Sequence, residues 1–438
     1  MSIWVLPKNI ADVLPNEARQ LEHVRHYLIN YFQRCGYELI IPPMIEFVES
    51  LLAGSHSDLD LDTFKVVDQL SGRLMGVRAD ITPQVSRIDA HLHDKKSISR
   101  LCYAGSVLHT RPKGQHVTRE PYQFGAEIFG YDGLEADQEI QRLVQNSLQA
   151  LGIKHFQLNL SHAGLINAIF EVSGLTSNEE AAMRNALAIK DLSQLSQLCQ
   201  PSQLAKPLDP SLTHAICCLP ELFGNADMID HVYKILPPIP KIQSALNELS
   251  LLVEFIRSQY GSAEHTTIDL ADLAGYPYHT GVTFSVYVKG IAGALARGGR
   301  FDKLSQAFGC TRPATGFSID LRELIKILPE MPRQSAIIAP SVYACRETQN
   351  ANSNNVMTDK NVLDDKQNLE HLNAVQSQEY FKKRQEKIES LRLAGEIVIE
   401  LLPKQNMNHE SWYQSYRCDR QLKFENGNWQ VVNLNEAL

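Results

Sequence analysis

Residues 100–130 read RLCYAGSVLHTRPKGQHVTREPYQFGAEIFG, and this stretch decides the predicted fold. Both of its ends are β-like, and a charged loop separates them, which predicts two antiparallel strands. Gln123 and Glu127 lie four residues apart on the second strand, so their side chains share one face of the sheet. Burying an amide and a carboxylate is costly unless ligand or protein groups satisfy them. A solvated face is the alternative interpretation.

Basic side chains in this loop are candidates for an anionic ligand. They are Arg111, Lys113 and Arg119. Arg300, after two glycines in ALARGGRFDKL, could also hold a carboxylate or a phosphate. That segment lacks the GxGxxG and GxxxxGKS patterns of the common nucleotide-binding loops. The sequence has no His, Cys, Asp and Glu set at metal-ligand spacing, so we expect neither a metal nor a cofactor.

The segment GVRADITPQVSRI (residues 76–88) reads as an extended stretch followed by a helix. Arg78, Asp80 and Thr82 alternate on one face of the extended part. A carboxylate and a hydroxyl on one face could receive an ammonium group. The alternative is an ordinary helix cap, with Thr82 as the N-cap before Pro83.

A third candidate segment is DLAGYPYHTGVTF (residues 272–284). It places Tyr276, Tyr278 and His279 close to glycines. Aromatic hydroxyls beside an imidazole suit the recognition of a small polar ring. A lone histidine is usually a core or surface residue, so His279 by itself carries little weight.

The whole chain has 438 residues, enough for two or three domains with a substantial core. Its net charge of −8 and pI of about 6.0 give no sign of the basic stripe of a nucleic-acid-binding protein. No apolar run approaches the roughly 18 residues that span a bilayer, and we see no secretory signal. The eight cysteines form no CxxC pair and are too sparse for a disulfide scaffold. We therefore expect a cytoplasmic protein with reduced thiols and with no nucleic-acid or membrane partner.

Runs of short strands with helices between them indicate an α+β fold built on an antiparallel sheet. We predict a main domain at residues 1–328, interrupted by a helical insertion at about 163–260. A small C-terminal α/β domain is predicted at residues 329–438. Within it, residues at about 346–375 are rich in Asn, Asp and Gln, a composition that predicts a mobile loop.

Taken in order, these segments resemble the catalytic core of the class II aminoacyl-tRNA synthetases, and specifically histidyl-tRNA synthetase. RADIT resembles the segment that binds the amino group of histidine. RLCYAGSVL and REPYQFGAEIFG resemble the second signature motif, GYPYHTGVTF the histidine-specific loop and ATGFSIDLREL the third motif. The similarity covers roughly residues 5–328 in collinear order. It implies a class II synthetase-like antiparallel sheet flanked by helices.

Three departures fall where the synthetase pattern has arginine. The second motif carries His109, the third reads Arg322-Glu323 instead of Glu-Arg, and the histidine-specific loop opens with Ala274-Gly275 instead of Arg-Gly. Adenylate formation needs positive groups where charge builds at the α-phosphate, and losing one such donor costs about 2.7–4 kcal/mol. The resemblance therefore implies negligible adenylate formation and no catalytic residue in this chain.

A retained histidine pocket with an eroded ATP site is typical of the ATP phosphoribosyltransferase regulatory subunits, which this chain closely resembles. The segments RGGRFDKL, RPATGFSIDL and CDRQLKFENGNWQVVNL carry that resemblance. It implies a non-catalytic subunit that joins a short catalytic subunit in a hetero-oligomer. That complex transfers ribose 5-phosphate from PRPP onto ATP, the first step of histidine biosynthesis. The chain would bind histidine for feedback inhibition and support activity when histidine is absent.

The resemblance also implies which residues bind the ammonium and carboxylate groups of histidine. Asp80 and Thr82 are expected to bind the ammonium group and Gln123 the backbone polar groups. Arg111 is the candidate for the carboxylate, because Ala274 replaces the expected arginine.

Around the imidazole ring, the resemblance places Glu127, Tyr278 and His279. It also implies a homodimer, formed through the helix and proline-containing strand near residues 16–46. Two other functions stay open at this point. One is a histidyl-tRNA synthetase-like enzyme that activates histidine, and the other is a sensor that binds tRNA.

Overall fold

The computed structural model of the protein describes residues 5–54, 57–92, 97–114, 117–272, 278–340, 374–402 and 417–434. Nearly all of the predicted loop at about 346–375 lies outside these ranges, as do Ala274, Gly275 and Tyr276. The chain divides into two compact units, Met1–Pro329 and Glu330–Leu438. Within the described ranges, no helix is long and apolar enough to cross a membrane. The expected cytoplasmic location stays a prediction.

Helix α1 (Pro15–Arg34) begins the first unit with a proline at its first position, where no backbone N–H is needed. It ends before Gly36, whose φ of 89° is easily adopted only by glycine. One face of α1 is buried at helical spacing. That face consists of Leu21, Val24, Leu28, Ile29 and Phe32.

A nine-stranded sheet forms the centre of this unit. Neighbouring strands are antiparallel, except that β1 (Glu38–Ile40) pairs with β5 (Ser99–Ser106) and β7 (Gln157–His162) with β9 (Thr266–Asp269) in parallel. The predicted α+β class is confirmed, while the sequence did not predict the two parallel pairs. In spatial order the strands are β1 (Glu38–Ile40), β5 (Ser99–Ser106), β6 (Tyr122–Phe129), β12 (Ala314–Asp320), β11 (Ala294–Arg300), β10 (Val282–Tyr287), β7 (Gln157–His162), β9 (Thr266–Asp269) and β8 (Phe223–Asn225).

Pro42 and Pro43 divide the predicted proline-containing strand into two strands that belong to different sheets. Proline cannot donate a ladder hydrogen bond, so the first sheet ends at β1. The chain then enters a three-stranded antiparallel sheet of β2 (Ile45–Phe47), β4 (Leu74–Val77) and β3 (Phe64–Val67), in that order. Three helices lie in this part of the chain: α2 (Val48–Leu51), which contacts β2 and β4, α3 (Ser57–Asp62), and α4 (Thr82–Leu92), which contacts β6 of the nine-stranded sheet.

The remaining helices of the first unit include those of the predicted helical segment. Strand β8 also lies in that segment and pairs with β9, which its Leu-, Ala- and Gln-rich composition did not predict. The helices are α5 (Leu134–Ala150), α6 (Ala163–Ser173), α7 (Ser177–Ala188), α8 (Leu192–Leu198), α9 (Pro210–Cys218), α10 (Ile229–Ile235), α11 (Pro240–Tyr260) and α12 (Leu321–Ile327), with 3₁₀ turns at Pro201–Gln203, Leu219–Glu221, Ala226–Met228 and Leu304–Phe308.

The nine-stranded sheet has apolar residues on both faces. One face packs against α1, α5, α6 and α11 in the larger core, to which β6 contributes Phe124, Ala126 and Ile128. The other face forms a smaller core that includes Tyr103 of β5 and Ile81, which precedes α4. Polar side chains on this second face are therefore enclosed rather than solvated.

The second unit contains a four-stranded sheet of β14 (Ile397–Glu400), β13 (Ala336–Ala339), β15 (Cys418–Glu425) and β16 (Asn428–Asn433), in that order. The helix Ala374–Leu393 accompanies it. Asn426 and Gly427 both have positive φ, 53° and 80°, as the hairpin turn between β15 and β16 requires. The indole Nε1–H of Trp429 donates to the Tyr380 carbonyl over 3.3 Å and ties the hairpin to the helix.

Candidate functional site

Gln123 and Glu127 lie on the enclosed face of β6. Side chains alternate between the two faces along a strand, so Phe124, Ala126 and Ile128 point to the other face, where they belong to the larger core. Both polar side chains are buried, with exposed fractions of 6% and 1%. Because buried polar groups need partners, the neighbours of these two residues define the site.

Asp80 is the centre of one half of the site. The Gln123 side-chain amide donates to Oδ1 of Asp80 over 2.8 Å, and the Thr82 backbone N–H donates to the same oxygen over 3.2 Å. The Tyr278 hydroxyl donates to Oδ2 over 3.1 Å. Gln123 in turn accepts a hydrogen bond from the Ile81 backbone N–H over 3.0 Å. Asp80, Gln123 and Tyr278 are therefore joined across three chain segments that lie far apart in sequence.

Glu127 is the centre of the other half. Its Oε1 accepts hydrogen bonds from the hydroxyls of Thr82 and Tyr103, each over 3.1 Å. Its Oε2 is buried and has no hydrogen-bond partner among the described residues. Burial, and secondly the nearby negative charge of Asp80, raise the pKa of Glu127 well above its usual range. The free protein therefore holds a buried carboxyl group with one oxygen available to a donor.

Gly316 on β12 leaves room for this carboxyl group. It pairs directly with Glu127 in the sheet, and a Cβ atom on Gly316 would overlap Oε2 of Glu127. The same Cβ would lie 2.6 Å from the Ala126 carbonyl oxygen. Glycine is therefore required at this position of ATGFSID for steric reasons.

The aromatic residues of the site come from the segment that precedes β10. Tyr278 is buried, with its ring centroid 5.7 Å from that of Phe301 and 5.2 Å from that of His279. His279 is also buried, with an exposed fraction of 7%. The segment thus supplies one residue bonded to Asp80 and a second packed beside it.

His109 points into the fold. Its Nε2–H donates to the Ala79 carbonyl over 2.9 Å, so the ring is the Nε2–H tautomer. Burial, together with the charge of Lys113, lowers the pKa of His109 to about 4. Arg119, further along the same loop, donates to the His109 carbonyl over 3.0 Å. A neutral, internally bonded side chain therefore stands at the position where the synthetase pattern has arginine.

The other predicted anion-binding residues lie away from the carboxylate cluster. Arg111 is exposed in the loop after β5 and forms no hydrogen bond or ion pair with the described residues of that cluster. Lys113 is exposed and lies 3.9 Å from Asp62. Arg300 is buried in an ion pair with Asp137, with 2.5 Å between Nη2 and Oδ2. The structure thus uses Arg300 to satisfy the protein's own carboxylate.

At the third motif, Arg322 is buried and binds the main chain. It donates to the carbonyls of Glu120 and Ala11 over 3.3 and 3.4 Å. Glu323 forms an ion pair with Lys326 on the next turn of α12, over 2.5 Å. Both side chains of the inverted Arg-Glu pair therefore have protein partners.

Tyr103 and Gly316 are the members of the site that sequence reasoning missed. Tyr103 could have been found, because alternation along β5 places it on the same face as Leu101, which lies opposite Glu127. The assembled cluster presents two carboxyl groups, several hydroxyls and an amide inside an apolar shell. Such a set suits a small ligand that carries an ammonium group and a second N–H donor.

Comparisons with known proteins give two matching family models. The histidyl-tRNA synthetase model matches residues 9–324, and the model described as ATP phosphoribosyltransferase subunit HisZ C-terminal domain matches residues 382–432. A relative from Ralstonia pickettii is 46% identical and covers 99% of both chains. One from a Janthinobacterium species is 44% identical and covers 99% of this chain and 100% of its own. Both relatives are named ATP phosphoribosyltransferase regulatory subunit.

Solved structures share the fold at lower identity. A Bacillus halodurans protein titled ATP phosphoribosyltransferase regulatory subunit/histidyl-tRNA synthetase has a TM-score of 0.74 at 22% identity, over 95% of this chain and 97% of its own. The histidyl-tRNA synthetase of a Nostoc species has a TM-score of 0.69 at 17% identity, over 99% and 98%. These likenesses confirm the predicted class II synthetase fold.

Proposed function

Because this chain belongs to the family of ATP phosphoribosyltransferase regulatory subunits, we propose that its carboxylate cluster binds free histidine and passes the signal to the catalytic subunit. As a member of that family, the chain is a non-catalytic subunit that works with a separate catalytic subunit in histidine biosynthesis. Histidine regulates the complex only if its affinities for the active and inactive states differ. A coupling of about 1–3 kcal/mol would change activity roughly 5- to 150-fold.

The free Oε2 of Glu127 is the observation that carries the proposed ligand site. A buried carboxyl oxygen without a partner is unfavourable in the free protein and is relieved when a ligand N–H donates to it. Glu127 would bind an imidazole nitrogen of histidine, with Tyr278 and His279 beside the ring. Two carboxyl groups in one enclosed site favour a ligand with two N–H-bearing groups.

The second carboxylate, Asp80, would receive the ammonium group of histidine, together with the Thr82 hydroxyl. Gln123, bonded to Asp80, would contact the backbone polar groups of the ligand. The position of Arg111 gives its proposed role at the carboxylate no support, because its side chain is exposed in the loop.

Calorimetric titration of the full chain with L-histidine tests the proposal. Wild-type protein is expected to bind, and Glu127→Ala is expected to weaken binding roughly 10- to 150-fold, the range for losing one hydrogen bond to a charged group. Glu139→Gln is the matched control, because Glu139 is a partly buried carboxylate paired with Arg100 outside the cluster. Unchanged affinity in Glu127→Ala would reject the site, and no binding to wild-type protein would reject the function.

We also propose that the chain forms a homodimer through the helix and the proline-containing strand near residues 16–46. Apolar side chains are exposed along the proline-containing part of this segment, and exposed apolar patches often mark interaction sites. They are Ile41, Met44 and Ile45, with exposed fractions of 81%, 41% and 43%.

Sedimentation velocity at several protein concentrations tests the dimer. Wild-type protein is expected to sediment as a dimer and the double variant Ile41→Asp, Ile45→Asp as a monomer. Leu393→Asp is the control, because Leu393 is 88% exposed but lies in the second unit. A wild-type monomer at all concentrations would contradict the proposal.

A further inference from the structure

Arg78 differs from the other buried arginines of the described residues in having no carboxylate partner. Its side chain has an exposed fraction of only 5%. Its Nε donates to the Ser106 carbonyl over 2.9 Å and its Nη1 to the Pro42 carbonyl over 2.8 Å. Within the described ranges, Nη2 has no hydrogen-bond partner. The guanidinium is thus held in place by main-chain carbonyls, and no carboxylate of the described residues forms an ion pair with it within 4.0 Å.

The lack of an ion pair at Arg78 is unusual among the buried arginines of the described residues. Each of them lies within 4.0 Å of a carboxylate: Arg300 with Asp137, Arg312 with Asp89, Arg322 with Glu17 and Arg384 with Glu400. A buried cation without an anion is strongly unfavourable. Burial accordingly lowers the pKa of Arg78, whereas Asp137 helps to raise that of Arg300. An anionic ligand would supply the charge that the protein does not.

The position of Arg78 links it to the proposed histidine site. A Cβ atom on Gly105 would overlap Nη2 of Arg78, so the guanidinium lies directly over this glycine. Gly105 pairs with Gln123 in the β5–β6 register, and directly opposite residues of two strands share one face. Nη2 therefore lies on the face that carries Gln123, whose amide is bonded to Asp80.

On this face, Asp80 and Glu127 account for the two nitrogen-bearing groups of the proposed ligand. The third group, the α-carboxylate, still needs a cation. We propose that Nη2 of Arg78 receives the free carboxylate of the bound amino acid. This inference rests on the proposed function and extends it to specificity: the site selects an unmodified amino acid and rejects one whose carboxylate is an ester, an amide or an anhydride.

The discriminating experiment compares two probes, L-histidine and L-histidinamide, by calorimetric titration of the full chain. In histidinamide an uncharged amide replaces the carboxylate, while the ring and the amino group are kept. Wild-type protein is expected to bind histidine at least 10-fold more tightly than histidinamide. In Arg78→Gln, histidine binding is expected to weaken while histidinamide binding changes less than about twofold. The ratio of the affinity for histidine to the affinity for histidinamide should therefore fall towards one.

Arg100→Gln is the control, because Arg100 is bound to Glu139 and should leave the ratio unchanged. If Arg78→Gln fails to fold, the wild-type ratio still decides, since equal affinities for the two probes would overturn the inference. A preserved ratio in a folded Arg78→Gln variant would overturn it too. Absence of histidine binding to wild-type protein is a different result, because it rejects the proposed function and this inference with it.

Discussion

The two ends of the β5–β6 hairpin treat their polar side chains in opposite ways. At the strand end, Glu127 is buried with one oxygen unpaired, and Asp80 lies close enough to raise its pKa. At the loop end, His109 and Arg119 donate to main-chain carbonyls of the protein, and Nδ1 of His109 is buried without a hydrogen-bond partner among the described residues. Burial raises the pKa of the Glu127 carboxyl group and lowers the pKa of the His109 imidazole, so it favours the uncharged form of both side chains. The two ends should therefore respond to pH with opposite signs.

The largest expected effect comes from filling the space beside Glu127. Gly316→Ala would place a methyl group onto Oε2 and against a backbone oxygen of the neighbouring strand. We expect it to lower the free energy of unfolding by about 3 kcal/mol, the upper part of the usual range for overpacking. Urea unfolding followed by circular dichroism measures this. Gly293→Ala is the control, since nothing lies within 4 Å of its added Cβ. Equal free energies of unfolding for Gly316→Ala and Gly293→Ala would mean that the Glu127 carboxyl group is not tightly packed against Gly316.

The loop end should make the protein acid-sensitive. The pKa of His109 is about 4 in the folded chain, below the ordinary value of 6.5, so the unfolded chain binds its proton first as pH falls. Stability from this group is therefore complete above pH 6.5 and is lost down to about pH 4. One pKa unit corresponds to about 1.4 kcal/mol, so wild-type protein should lose up to about 3 kcal/mol more than His109→Gln over that window.

Unfolding free energies of wild-type protein and His109→Gln between pH 4 and 7 check this prediction. His231→Gln is the matched control, because His231 is exposed on α10 and should follow the wild-type curve. Parallel curves for wild-type protein and His109→Gln would show that His109 is not held neutral by the fold.

The strand end should respond to pH with the opposite sign. The pKa of Glu127 is raised above its ordinary value of 4.5, so the folded chain keeps a proton that the unfolded chain releases. Stability from this group is present below pH 4.5 and is lost as pH rises towards the folded pKa. The slope is about 1.4 kcal/mol per pH unit for one proton. Glu127→Gln cannot ionise, so its stability relative to wild-type protein should increase from pH 4.5 upward, and a constant difference would contradict this.

The contrast between the ends also explains what sequence could predict. Alternation along β6 is a local property, so the shared face of Gln123 and Glu127 followed from spacing alone. The burial of that face did not follow, because it depends on Tyr278, which comes from a segment about 150 residues further along the chain.

Partners at long range account for the remaining surprises. The Asp137 carboxylate that pairs with Arg300 and the parallel pairing of β1 with β5 depend on contacts between distant segments. The lack of a carboxylate beside Arg78 is equally invisible in the sequence. The resemblance in motifs predicted the class II fold because members of one family share such long-range contacts. It could not show which arginines the fold had already paired.

The smallest expected effect concerns exchange between ATP and pyrophosphate, which should stay at the background level. Wild-type protein should show no histidine-dependent exchange between ATP and pyrophosphate, and neither should His109→Arg. An arginine at this position must leave the enclosed site of His109 to reach a ligand, and Glu323 still replaces the arginine of the third motif. Losing one transition-state donor costs about 2.7–4 kcal/mol, so restoring one of several leaves a large deficit. An exchange assay with an active histidyl-tRNA synthetase as positive control measures this, and exchange restored by His109→Arg alone would mean that the loop end had lost only a single side chain.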